Sequence, residues 1–143
     1  MTGVKTAISL GMLLMLGACA GAGNKAPSGG TATLVDTRWV LTKLGDTAVA
    51  PAEREYFLLL DTKDQRASGF AGCNMFAGPY QLAGDKLTFG PLAMTRMACP
   101  PPGMTVEGAY ANALRDAKGY KIAGKTMMLT DEAGKSLASF AVK

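Results

Sequence analysis

Between Thr37 and Val142, short apolar runs alternate with turn residues, and only one stretch holds helical spacing. That rhythm limits the fold more than any other feature of the chain, because short strands at hairpin spacing must pair with their neighbours in sequence. The strand candidates begin with Thr37 to Leu44, where Trp39, Leu41 and Lys43 share a face. Tyr56 to Leu60 is apolar on both faces, as expected of a strand covered on both sides. Arg66 to Gly72 follows the polar turn Asp61 to Gln65, and its Ala67, Gly69 and Ala71 leave room for close approach by another element. Tyr80 to Leu82 and Lys86 to Phe89 flank Gly84-Asp85 as a hairpin, and Leu92 to Cys99 is a further extended segment. Val106 to Lys118 carries Val106, Tyr110, Ala113, Leu114 and Ala117 on one helical stripe, with Gly119 as the stop signal. Tyr120 to Ala123, Thr126 to Thr130 and Ser136 to Val142 complete the set. The expected class is α+β, mainly β: a strongly curved antiparallel sheet or partly open barrel of about eight strands, with one helix over an open side or end.

Ahead of this domain lies a segment of different character. Met1 to Lys5 carries one positive side chain and precedes an apolar run from Ala7 to Leu16. The run is too short to span a bilayer and has the layout of an export signal. Leu16-Gly17-Ala18-Cys19 resembles a bacterial lipobox, which implies cleavage before Cys19 and acylation of its thiol. Residues 1–18 then form a signal peptide, 19–33 a flexible tether rich in Ala, Gly and Ser, and 34–143 the folded domain. The expected setting is the cell envelope, with a lipid anchor at Cys19, and Ala20 is compatible with an outer membrane location facing the periplasm. A plain secretory signal is the competing reading, since Ala18-Cys19-Ala20 and Ala20-Gly21-Ala22 both fit a small-residue cleavage site.

Composition narrows the chemistry. With 143 residues, the chain suits one domain with a real core. Its net charge of +4 is mild, and no basic run carries interleaved aromatics, so no nucleic-acid partner is expected. Histidine is absent. The absence removes Ser-His-Asp and Cys-His catalysis, histidine metal sites and histidine pH switches. No catalytic residues, no metal and no cofactor are expected.

Two cysteines remain once Cys19 is set aside. In an oxidising compartment, a Cys73–Cys99 disulfide is the default, with free or reactive thiols as the alternative. The same region carries a family resemblance. Gly72-Cys73-Asn74 with Gly78 and Tyr80, followed by Leu92-Ala93-Met94-Thr95-Arg96-Met97-Ala98-Cys99, resembles the paired signatures of the META domain, the HslJ-like family. The motif positions are Gly72, Cys73, Asn74, Gly78, Tyr80, Thr95, Met97 and Cys99. Glu107 and Tyr110 on the helix are supporting matches. The resemblance implies a lipocalin-like open barrel with a helix, and an envelope protein linked to stress tolerance, antibiotic tolerance or secretion. It brings no established reaction and no catalytic residues.

Physical reading of the motif points to a fold-forming role. Gly72 and Gly78 permit unusual backbone angles or close approach, and Asn74 suits a left-handed turn position. Pro79 stiffens that turn, while Phe76 and Tyr80 supply core area. Met94, Met97 and Met104 invite a copper(I) reading through soft ligands, but strand alternation separates Met94 from Met97, so core packing is expected. Arg96 lies among apolar residues and, with Pro100, Pro101 and Pro102, forms the candidate partner surface; the competing readings are an outer-face arginine paired locally and prolines that only separate strand from helix. The expected function is a non-enzymatic envelope lipoprotein that binds or supports another envelope protein. The alternative is a carrier of a small apolar ligand in the barrel mouth.

Overall fold

The computed structural model describes residues 30–143. The signal segment, Cys19 and most of the tether lie outside these residues. The elements run β1 (Arg38–Leu44), β2 (Thr47–Ala48), β3 (Phe57–Asp61), β4 (Arg66–Phe70), β5 (Met75–Ala83), β6 (Lys86–Phe89), β7 (Ala93–Met94), α1 (Gly103–Asp116), β8 (Gly119–Ala123), β9 (Thr126–Thr130) and β10 (Ser136–Ala141). All described strand pairs are antiparallel. The main path is β6-β5-β4-β3-β1-β10-β9-β8, with β2 added beside β1 and β7 beside β5.

The two ends of this path meet. The Leu87 amide donates to Lys118 O at 3.2 Å, and the Tyr120 amide donates to Asp85 O at 3.1 Å. These bonds bring β6 against the start of β8 and turn the curved sheet into a nearly closed eight-stranded barrel with a single described helix. Closure removes most of the exposed edge that an open sheet would present.

Alternation decides what fills the barrel. Trp39 and Leu41 from β1, Leu58 and Leu60 from β3, Met127 and Leu129 from β9, and Ala138 and Phe140 from β10 are all buried. The β3 segment is not covered equally on both faces as its sequence suggests. Leu58 and Leu60 are fully buried, whereas Phe57 and Leu59 are half-buried on the outside. The Arg38 guanidinium covers the Phe57 ring at 3.6 Å, so an apolar outer position is sheltered by a cation rather than a second layer. Gly69 makes the close approach expected of a small-residue strand: a Cβ there would lie 2.5 Å from the Phe76 ring.

Three boundaries differ from the sequence reading. β5 begins at Met75 and contains Pro79, which is therefore a strand residue and not part of a turn. Pro79 is tolerated because the partner changes there: its register mate Arg66 is the first residue of β4 and the end of that ladder, and pairing with β6 starts at Tyr80. The extended run from Leu92 to Cys99 contributes only the short β7, and the rest crosses the barrel mouth as a loop. Gly119 does not stop the helix. The helix ends at Asp116 with Ala117 as its cap, and Gly119 opens β8 beneath Asp85 O and Thr130 Oγ1, each 3.1 Å from where a Cβ would stand.

Helix α1 lies over the mouth and sends Tyr110, Ala113 and Leu114 inward. Tyr110 sits edge-on to Phe76, with ring centroids 5.6 Å apart, and tilts against Phe140 at 5.8 Å. Its hydroxyl is buried without a hydrogen-bond partner among the described residues. Burial pushes its pKa well above the ordinary 10.0. The folded state therefore holds the Tyr110 proton at pH values where the unfolded chain releases it, and this group's contribution to stability declines as pH rises above about 10. Tyr110→Phe removes both the unpaired hydroxyl and that decline. We expect it to leave stability unchanged or raise it by about 1 kcal/mol near neutral pH. It should also flatten the loss of stability at alkaline pH, as measured by urea unfolding at pH 7 and above pH 10. A clear loss at neutral pH would contradict this account.

Candidate functional site

The paired motifs converge at the barrel mouth, where α1, the start of β5 and the Thr95–Pro102 loop meet. The chain turns out of β4 through Ala71-Gly72-Cys73-Asn74. Gly72 has φ +141°, and a Cβ there would fall 2.4 Å from Gly103 O, so only glycine lets this turn press against the helix start. That contact brings the Cys73 and Asn74 amides under Glu107, one turn into α1.

Glu107 is 8% exposed and its carboxylate faces this turn. Its Oε2 accepts from the Cys73 amide at 3.1 Å and the Asn74 amide at 2.6 Å, while Oε1 accepts from Asn74 Nδ2 at 2.9 Å. Asn74, 3% exposed, carries the network onward. Its Oδ1 accepts from the Thr95 hydroxyl at 2.8 Å and the Met97 amide at 2.6 Å, and its Nδ2 also reaches Met97 O at 3.1 Å. Thr95 Oγ1 in turn accepts from the Met75 amide at 3.1 Å. The Cys73–Cys99 disulfide spans the same junction, with Cα atoms 5.7 Å apart.

Asn74 therefore does something other than fill a left-handed turn position; it bridges the helix carboxylate to the 95–97 loop. Glu107 is the central residue that reading by composition passed over. The signal was present, since Glu107, Tyr110 and Leu114 stand at i, i+3 and i+7 on the buried stripe. Gly78 acts through close approach, because a Cβ there would meet Pro91 O at 2.6 Å. Tyr80 is buried and donates its hydroxyl to Asp61 O at 3.1 Å, which ties β5 to the β3–β4 turn away from the mouth. Burial, aided by the charges of Asp36 and Asp61, raises its pKa.

The remaining candidate residues separate from this network. Arg96, Pro100, Pro101 and Pro102 are exposed, and the Pro101–Pro102 bond is cis. Met94 packs against the core, but Met97 and Met104 do not: they are 54% and 42% exposed. The expected burial of Met97 fails because the 95–99 stretch leaves the sheet, so strand alternation no longer directs its side chains, and Met104 stands in the first turn of α1, off the buried stripe of Glu107, Tyr110, Ala113 and Leu114. Cys99 is consumed by the disulfide. Among the described residues, no three His, Cys, Asp or Glu side chains gather as metal ligands. Asp61 and Asp131 serve turns, with Asp61 Oδ1 accepting from the Asp64 amide at 2.9 Å and Asp131 Oδ1 from the Lys135 amide at 2.9 Å. No described helix is long and apolar enough to cross a membrane.

Beside the exposed loop lies an open groove of about 340 Å³, with Leu44, Val49, Pro51 and Tyr56 on one wall and Pro102 and Val106 on the other. It is mostly apolar and carries no charged side chain. The groove and the loop are both surfaces that another molecule can reach at this end.

The META domain family model matches residues 32–143. The solution structure of a protein from Burkholderia xenovorans is similar, with 39% identity and a TM-score of 0.61 over 77% of this chain and 83% of that one. A second solution structure, 23% identical, shares the fold with a TM-score of 0.60 over 74% of this chain and 88% of that one. No curated protein matches the chain.

Two stability effects follow. Glu107→Gln leaves two buried amides and the Asn74 amide group facing a side chain with half the acceptor capacity. We expect a loss of about 3 kcal/mol in chemical unfolding. Glu107→Gln at wild-type stability would show that the carboxylate network is dispensable. Breaking the disulfide with paired Cys73→Ala and Cys99→Ala should cost about 3 kcal/mol, given the 26-residue separation. The domain should remain folded by circular dichroism, because the polar network still holds the junction.

Proposed function

The chain belongs to the META domain family, and on that footing we propose that it is a non-enzymatic envelope lipoprotein, a binding accessory whose target is another envelope protein. The anchor is an acylated Cys19. The binding surface is the Arg96 to Pro102 loop together with the adjoining apolar groove. The family supports an envelope setting, and Leu16-Gly17-Ala18-Cys19 supports the lipid. Stress tolerance is the physiological role that this setting favours.

One observation carries the reading. The buried polar groups of the paired motifs are spent on one another, whereas the loop they brace exposes Arg96, Met97 and three prolines. A braced loop loses little conformational freedom on contact, so more of its interaction energy appears as affinity. Methionine adapts to irregular partner surfaces, and arginine supplies planar, charge-assisted hydrogen bonds. The nearby Pro102 and Val106 place an apolar groove beside these groups, an arrangement in which a central apolar contact is rimmed by a cation.

Replacing Arg96 by Ala, Met97 by Ser and Pro100 by Ser together should abolish crosslinking to the partner in intact envelopes. The thermal unfolding midpoint should stay within a few degrees, since none of these side chains is buried. Crosslinking that survives the triple replacement would place the surface elsewhere. Retained crosslinking together with saturable uptake of an apolar fluorophore in the groove would favour the carrier reading.

A further inference from the structure

Resting on acylation of Cys19 as set out above, we propose that the tip of the β8–β9 hairpin is the face that the domain presents to the bilayer, where its lysines meet anionic headgroups. The chain leading back toward Cys19 is fastened at this tip. The Ala32 amide donates to Gly124 O at 2.9 Å, within the turn that joins β8 to β9. The C-terminal strand is fastened to the same turn through Val142, whose amide donates to Lys125 O at 2.9 Å. Thirteen residues of chain lead from Cys19 to Ala32 and can span at most about 47 Å, so an acyl anchor holds this end of the domain within that distance of the surface.

The charge of the hairpin suits that position. From Ala117 to Thr130, the sequence contains Lys118, Lys121 and Lys125 and no acidic residue. Lys121 and Lys125 are exposed, and neither makes an ion pair among the described residues. Lys121 borders a groove at the barrel seam that also holds Asp85, Asp131 and Glu132, which leaves Lys125 the less compensated of the two. Glu55, the acid near the chain end, is paired with Lys143. An anionic surface is felt over about 8 Å at physiological salt, a distance that a hairpin tip held by its own tether readily enters.

The geometry also sets what faces away. Val40, Ala141 and Thr126 lie level across three strands, beside the turn at the hairpin tip. Leu44, which lines the apolar groove, is four residues further along β1, about 13 Å at strand rise. The groove and the Arg96 to Pro102 loop thus lie toward the opposite end of β1, directed away from the bilayer.

The test uses the full mature protein inserted into nanodiscs that carry a headgroup-linked gadolinium lipid. Intact mass and co-migration with the discs establish the anchor first. Amides of Lys121 to Thr126 should then be attenuated more strongly than those of Thr47 to Val49 and Met104 to Val106. The contrast should be larger in phosphatidylglycerol-containing discs than in phosphatidylcholine discs, and should be lost in the K121E/K125E variant. An unmodified Cys19, with no co-migration, overturns the anchor and this proposal with it. A lipidated protein with uniform attenuation, or with stronger attenuation at the groove, overturns the orientation while leaving the anchor in place.

Discussion

The buried Glu107 carboxylate is the interaction on which the mouth of this barrel depends. Taking a carboxylate out of water costs several kcal/mol unless hydrogen bonds replace its hydration. Here the replacement comes from two successive amides and one side-chain amide, all supplied by Cys73 and Asn74. The dipeptide can reach the acid only because Gly72 lets the turn lie on the helix start at Gly103. Helix position, turn conformation and loop path are therefore one coupled arrangement. Asn74 extends it to Thr95 and Met97, and the disulfide closes it covalently at Cys99.

The rest of the fold rests on different physics. Alternating strand residues pack Trp39, Leu58, Leu60, Met127, Leu129 and Phe140 into the interior, and α1 adds Tyr110 and Leu114 from above. Extensive ladders hold most neighbouring strands, whereas the β6–β8 seam is held by the two bonds at Asp85, Leu87, Lys118 and Tyr120. The barrel is thus firm around most of its girth and lightly joined at one line.

Much of this was legible from residue pattern. Period-two alternation located β1 and β6, short apolar runs between turn residues located β9 and β10, the Gly84-Asp85 turn located the β5–β6 hairpin, and the paired cysteines located the cross-link. What escaped had local causes. Pro79 looks like a breaker until the change of strand partner is known, and that change is a property of topology. Met97 looks like core until the chain is seen to leave the sheet at Thr95. Asn74 has the chemistry of a turn residue, and its long-range role depends on an acid more than thirty residues away. Sequence spacing reports which residues share a face; it does not report which polar groups from distant segments will be buried together.

The double fastening of the Thr95 to Pro102 loop has a consequence for how such a protein diversifies. Its path is held through backbone groups, the Thr95 hydroxyl and one sulfur, all of which point inward or sideways. The side chains at Arg96 and Met97 make no contact in that hold, whereas the rings of Pro100 and Pro101 restrict the backbone itself. Substitutions at Arg96 and Met97 change what the loop displays without removing a contact that fixes its path. An engineer could exploit the same separation by randomising Arg96 and Met97, treating the barrel as a display scaffold whose variable tip is already held in place.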